Sequence, residues 1–186
     1  MLKQFPEPAT DTSPAPLIRR LTAMLYDSLI VIALMMMTTG IYKATQAGII
    51  GADKLRELTE SGKMDTDPLL SSILFIVLYV FFAYFWTRSG QTLGMQVWHI
   101  RVQSPSGTSI SWSQALLRFM MAAGCFFSLV YGFILLPSNG PSIIAILLIA
   151  AGTTSYLWVL IDKKKRSWHD IFSMTEVVRI PKRKAE

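Results

Sequence analysis

The chain has 186 residues, of which 52% are apolar and 16% charged, with ten Met and ten Phe among them. So apolar and charge-poor a composition argues against a soluble domain and for a membrane protein. The net charge of +6 does not point to nucleic acid, because the basic residues flank apolar runs instead of forming a patch interleaved with aromatics, and a single cysteine, Cys125, cannot close an internal disulfide.

Residues 1–16 carry Pro6, Pro8, Pro14 and Pro16 and read as a disordered leader. No apolar core of a cleavable signal precedes residue 21, so the first helix itself is expected to direct insertion. Residues 21–42 then form a run long enough to cross a bilayer, charged only at Asp27, with Arg20 just before it. An ionisable group inside a span is costly unless it finds a partner, water or an ion. Asp27 is therefore either an ion or proton site or a carboxylate that fixes helix register. The loop 43–67 holds a short charged helix near 52–61, read as a solvated cap. A second span covers 68–87, bounded by Asp67 and Arg88 and ending in Phe85 and Trp86, an aromatic belt at an interface.

Between Arg118 and Asp162 no residue is charged, a stretch too long for one ordinary crossing and sufficient for two. The cluster Pro137-Ser138-Asn139-Gly140-Pro141 breaks it, giving spans at 112–136 and 142–161. Before the third span, Val97, Ile100 and Val102 near-alternate with polar residues and meet the turn Ser104-Pro105-Ser106-Gly107, which predicts a β-hairpin with its second arm at 108–111. Residues 175–180 add a third strand. The expected fold class is thus an all-α membrane protein, a four-helix transmembrane bundle with a small three-stranded cap and a basic tail at 181–186. All but four of the 18 basic residues fall on the cap side, the exceptions being Lys43, Lys54, Arg56 and Lys63. The positive-inside rule then puts both termini and the cap in the cytoplasm. Lys163 to Arg166 and Lys182 to Lys184 are placed to attract anionic lipid headgroups, although orientation alone accounts for them.

Arg20 and Asp27 are seven residues apart, which returns to within about 20° of one helix face at a rise of about 10 Å. Helical side chains lean toward the amino terminus, so Arg20 leans away from Asp27 and each needs another partner. Arg20 is expected to pair with Asp170 of the carboxyl-terminal cap, so that exchanging the two charges restores folding lost in either single variant. Asp27 is expected to face Arg118 or the hydroxyls of Thr153, Thr154, Ser155 and Tyr156. No catalytic centre is expected: His169 beside Asp170 lacks a nucleophile with a recognisable turn. Neither a metal nor a cofactor is expected, since no His or Cys cluster has ligand spacing and the only histidines, His99 and His169, lie outside the spans where a haem would need them.

Several segments together resemble the RDD family of bacterial membrane proteins: Arg20 with Ala23 and Asp27, Gly90-Gln91-Thr92-Leu93-Gly94, Ile100-Arg101-Val102, Gln114-Ala115-Leu116-Leu117-Arg118, and Trp168-His169-Asp170 with Thr175-Glu176-Val177-Val178. The resemblance covers about residues 17–179. It implies that Arg20 is the family's arginine, Asp27 its first aspartate and Asp170 its second, with Asp162 the alternative, and Arg118 and His169 in support. Ser173-Met174 stands where the family usually has Ala-Gly, and Met95 where a lysine commonly follows the loop's second glycine. The resemblance further implies a multi-pass protein of the bacterial cytoplasmic membrane, with transport of an ion or small solute and cation/proton exchange as the activity. The alternative is a non-transporting accessory or scaffolding protein. Four helices are few for a transport path, so a homo-oligomer or a membrane partner protein is expected.

Overall fold

The computed structural model describes residues 4–5, 12–61, 67–136 and 142–181. Among the described residues seven helices and three short strands follow in chain order: β1 (Ser13–Pro14), α1 (Leu17–Ile50), α2 (Ala52–Glu60), α3 (Pro68–Arg88), α4 (Leu93–Val97), β2 (Ile100–Gln103), α5 (Trp112–Leu135), α6 (Ile143–Ile161), α7 (Trp168–Phe172) and β3 (Glu176–Arg179). Four of the helices are long and apolar enough to cross a membrane.

Each span after the first starts on a side chain suited to cap it. Asp67 accepts from the Leu69 and Leu70 amides with Pro68 at the first helical position, Ser111 and Gln114 exchange hydrogen bonds in a capping box, and Ser142 accepts from the Ala145 amide. Three spans end within a residue or so of the sequence boundaries. The first does not: α1 runs 34 residues, about 51 Å against roughly 30 Å of hydrocarbon. The apolar run marks where a helix is dry, whereas nothing between Lys43 and Ile50 breaks helical backbone until Gly51, whose φ of 89° only glycine adopts freely. Tyr42 then donates to Asp67 at 2.8 Å, tying the far end of α1 to the start of α3.

Packing is most extensive between α5 and α6. A methyl group at Gly152 would lie 2.7 Å from the Cys125 carbonyl oxygen, and Ser128 donates to the Leu148 carbonyl at 2.9 Å. A second core lies in the cap, around Ala15, Trp86, Met95, Ile100, Val102, Ile110, Ala115 and Val177. There the three strands are antiparallel in the order β1-β3-β2.

The predicted hairpin is corrected by this sheet. Ser104 N–H does reach the Thr108 carbonyl at 2.9 Å, but residues 108–111 add no strand, and Thr108 makes only an isolated bridge to Gln4. On one side β2 pairs along its whole length with β3, from Ile100↔Arg179 to Gln103↔Glu176. On the other, the Val102 amide donates to the Gly90 carbonyl at 2.7 Å, so no edge is left for a second arm. Within the leader, the described residues are ordered where disorder was expected: Ser13 and Pro14 pair with Arg179 and Val178, and the Phe5 ring covers the Arg101 guanidinium at 4.0 Å. The rest of the leader (1–3 and 6–11), the break at 137–141 and nearly all of the basic tail (182–186) lie outside the described residues.

Candidate functional site

On α1 only Arg20, Ala23 and Asp27 are buried, the single stripe that the seven-residue spacing requires. The arginine and the aspartate belong to two separate polar clusters.

Asp170 is the centre of the first. Its side chain is fully buried and accepts from Arg20 Nη1 at 2.5 Å, from Arg118 Nη1, and from the Ser167 amide at 2.8 Å. The last contact is an acidic residue in the first turn of α7 reaching back to the residue before the helix. Arg20 spends its remaining donors on backbone carbonyls: Nε on Ala15 at 3.1 Å and Nη2 on Lys165 at 2.5 Å. Arg118 donates also to Thr175 Oγ1 at 2.8 Å and stacks on Trp86, 5.2 Å from its ring centre. Burial opposes ionisation of Asp170, but Arg118 and then Arg20 outweigh it and hold the carboxyl well below the usual carboxylate range. The cluster is a fixed clamp between α1, α5 and the segment from α7 to β3.

Asp27 organises the second. Thr92 Oγ1 donates to its Oδ2 at 2.5 Å and the Gly94 amide to its Oδ1 at 2.8 Å. Thr92 is the N-cap of α4, where its hydroxyl oxygen also accepts from the Met95 amide at 3.3 Å. Contact this close depends on two small residues. A Cβ on Gly94 would strike the Ala23 carbonyl oxygen and sit 3.0 Å from the Asp27 carboxylate. The expected partners of Asp27 are therefore overturned: Arg118 is taken by Asp170 and Thr175, and the Ser155 hydroxyl is buried without a hydrogen-bond partner. Among the described residues no basic side chain pairs with Asp27, and both groups that bind it are uncharged.

The other sequence candidates separate cleanly. Arg20 and Asp170 meet as expected, and Arg118 joins them. Asp162 stays outside the clamp; it follows α6 and takes the Nε and amide of Arg166 at 3.1 and 3.0 Å, and the Arg166 side chain holds its carboxyl below the ordinary value. His169 is buried on α7, with Nε2 2.8 Å from Ser167 Oγ and Nδ1 without a partner. Burial drives its pKa down to about 3, Asp170 opposing and the two arginines assisting. A neutral His169 that deep in the clamp is packing, not a proton relay near neutral pH. Among the described residues no three His, Cys, Asp or Glu side chains group as metal ligands.

Sequence reasoning missed Thr92 and Gly94 as partners of Asp27. The available signal was the Gly-Gln-Thr-Leu-Gly run itself: a threonine two residues before a glycine, opening a helix, offers a hydroxyl and a free amide to one carboxylate. Thr175 was missed as the second hydrogen-bond acceptor of Arg118.

A model of the RDD family matches residues 14–174. Comparison with curated proteins and with solved structures gives no match.

Proposed function

The chain belongs to the RDD family, whose model covers most of its length, and on that premise we propose that it moves an ion or small solute across a bacterial cytoplasmic membrane, with Asp27 as the group that binds the exchanged proton or cation. The observation that carries this reading is the company of Asp27: a buried carboxylate on a membrane span, held by a hydroxyl and an amide, with no basic side chain paired to it among the described residues. An ionisable side chain inside a span without a paired charge is the usual mark of an ion or proton pathway. By the same measure Arg20, Arg118 and Asp170 do not exchange anything. They pin the cap to the bundle, and their charges are spent on one another.

A second reading, an accessory or scaffolding membrane protein, draws on the fact that both Asp27 oxygens already have donors, which suits a carboxylate that docks α4 against α1 and does no more. Asp27→Asn separates the two. The amide keeps the shape and can still accept from Gly94, while the Thr92 hydroxyl oxygen can take a hydrogen bond from the new NH2 group, so folding survives. Purified protein in sealed vesicles with a pH-sensitive dye inside is challenged with sodium, potassium and lithium in turn. Exchange predicts a dye response above that of protein-free vesicles, lost in Asp27→Asn with the thermal midpoint retained. No response from the unaltered protein sinks the transport reading.

A further inference from the structure

The two short helices of the cap are buried on one face only. On α4, Gly94 lies against Asp27 and Met95 is buried in the apolar core of the cap, while Leu93 and Val97 remain 43% and 54% exposed. On α7, His169 and Asp170 turn into the clamp, while Phe172 is 60% exposed and the adjoining Met174 74%. Both elements are fixed by their polar sides to the ends of spans: α4 to α1 through Asp27, α7 to α1 and α5 through Asp170. α4 packs on α1 and α7 on α5 and α6, the Met174 carbonyl accepts from Gln114 in the first turn of α5, and Ile18, Trp112 and Ile161, where α1 and α5 begin and α6 ends, are exposed as well. Large apolar side chains on cap elements, continuous with the surface of the spans, need a cover other than water.

Charge selects the cover. From Arg88 to Arg118 the chain has no acidic residue. Of the three acids between residues 162 and 181, Asp170 is buried between two arginines and Asp162 is bound by Arg166. Lys163 and Lys164 stand exposed in the turn between α6 and α7, and Arg88 at the end of α3, just ahead of α4. The turn is held open by the clamp. Lys165 has a φ of 54°, its amide bonds the Asp162 carbonyl at 2.9 Å, and its own carbonyl accepts from Arg20 Nη2.

We propose that α4 and α7 are interfacial helices whose exposed faces seat the cap in a bilayer surface, and that Lys163, Lys164 and Arg88 bind the headgroups of anionic phospholipid there. Neither half of the interaction depends on transport. The apolar faces supply depth, as in amphipathic helices that lie in the membrane plane, and the lysines supply preference for anionic over zwitterionic lipid.

Trp158 and Trp168, with rings 6.3 Å apart, flank Lys163 and Lys164 and report on nearby lipid. Full-length protein is reconstituted in vesicles containing either brominated phosphatidylglycerol or brominated phosphatidylcholine at equal bromine content, and tryptophan quenching is measured. Quenching by the anionic lipid should exceed that by the zwitterionic one, with a relative association constant higher by about fivefold for each lysine engaged. In Lys163→Gln/Lys164→Gln the ratio should fall toward one. Phe172→Ser/Met174→Ser should weaken quenching by both lipids alike, and Lys54→Gln, beyond the opposite end of the bundle, should change nothing. Equal quenching by the two lipids in the unaltered protein, or a preference that survives loss of both lysines, overturns the proposal.

Discussion

Asp170 answers to two guanidinium groups and a backbone amide at once, which changes what its substitution should do. A plain Arg20–Asp170 pair would tolerate exchange of the two charges. Here an arginine at 170 would face Arg118 as well, so Arg20→Asp/Asp170→Arg is expected to fail to restore folding, and a rescued thermal midpoint would contradict the three-way clamp. Asp170→Asn leaves two buried arginines against a neutral amide and should cost about 3–5 kcal/mol of stability. Its neighbour gives a pH signature. The folded-state pKa of His169 is depressed to about 3, so protonation favours the unfolded chain: the contribution is whole above about pH 6.5 and is lost as pH falls toward 3, with a limiting slope of about 1.4 kcal/mol per pH unit. The depressed Asp170 acts only lower, below about pH 4. Denaturation in detergent between pH 7 and 4.5 should therefore show a slope that His169→Gln removes. The Arg20–Asp170 pairing was legible because side-chain lean along a helix turns Arg20 away from Asp27 and the family resemblance offers Asp170 as the second aspartate. The surroundings of Asp27 were not, since nothing in residues 21–42 specifies which later segment crosses Ala23.

At the level of elements, α4 is a five-residue helix, too short to persist unaided, and its docking depends on the empty space at Gly94. Gly94→Ala should push α4 away from α1, breaking the amide contact to Asp27, and destabilise by about 1–3 kcal/mol. Unfolding of the purified protein measures the loss. Gly40→Ala, where a Cβ meets nothing within 4 Å, should be harmless by comparison. Helices at span scale were readable because an uncharged run of about 20 residues has few other uses. Strand pairing was not: alternation at 97–103 marks a strand without naming its neighbour, and β3, some 70 residues later, takes the place that the adjacent arm would have filled. Short strands carry too little pattern to decide between a near and a distant partner.

Across the whole molecule, β1 before the first span lies hydrogen-bonded to β3 after the last, so both ends of the described chain meet on one side of the bundle. With the basic residues on that side expected to face the cytoplasm, a cysteine at Ser106 in the cap should resist an impermeant maleimide added to intact cells, and one at Lys54 on α2 should react. The reverse pattern would invert the assignment. The reach of the clamp along the chain also bears on how the protein is made. Arg20 leaves the ribosome 150 residues ahead of the aspartate that binds it, and at ordinary elongation rates that is a wait of about 8–30 s. Throughout that interval the first helix sits in the membrane with its arginine unmatched, and Arg118 joins it before the last crossing is threaded. Assembly of the cap is thus a terminal event in biogenesis, since both arginines wait for residue 170 to emerge before they find their shared carboxylate.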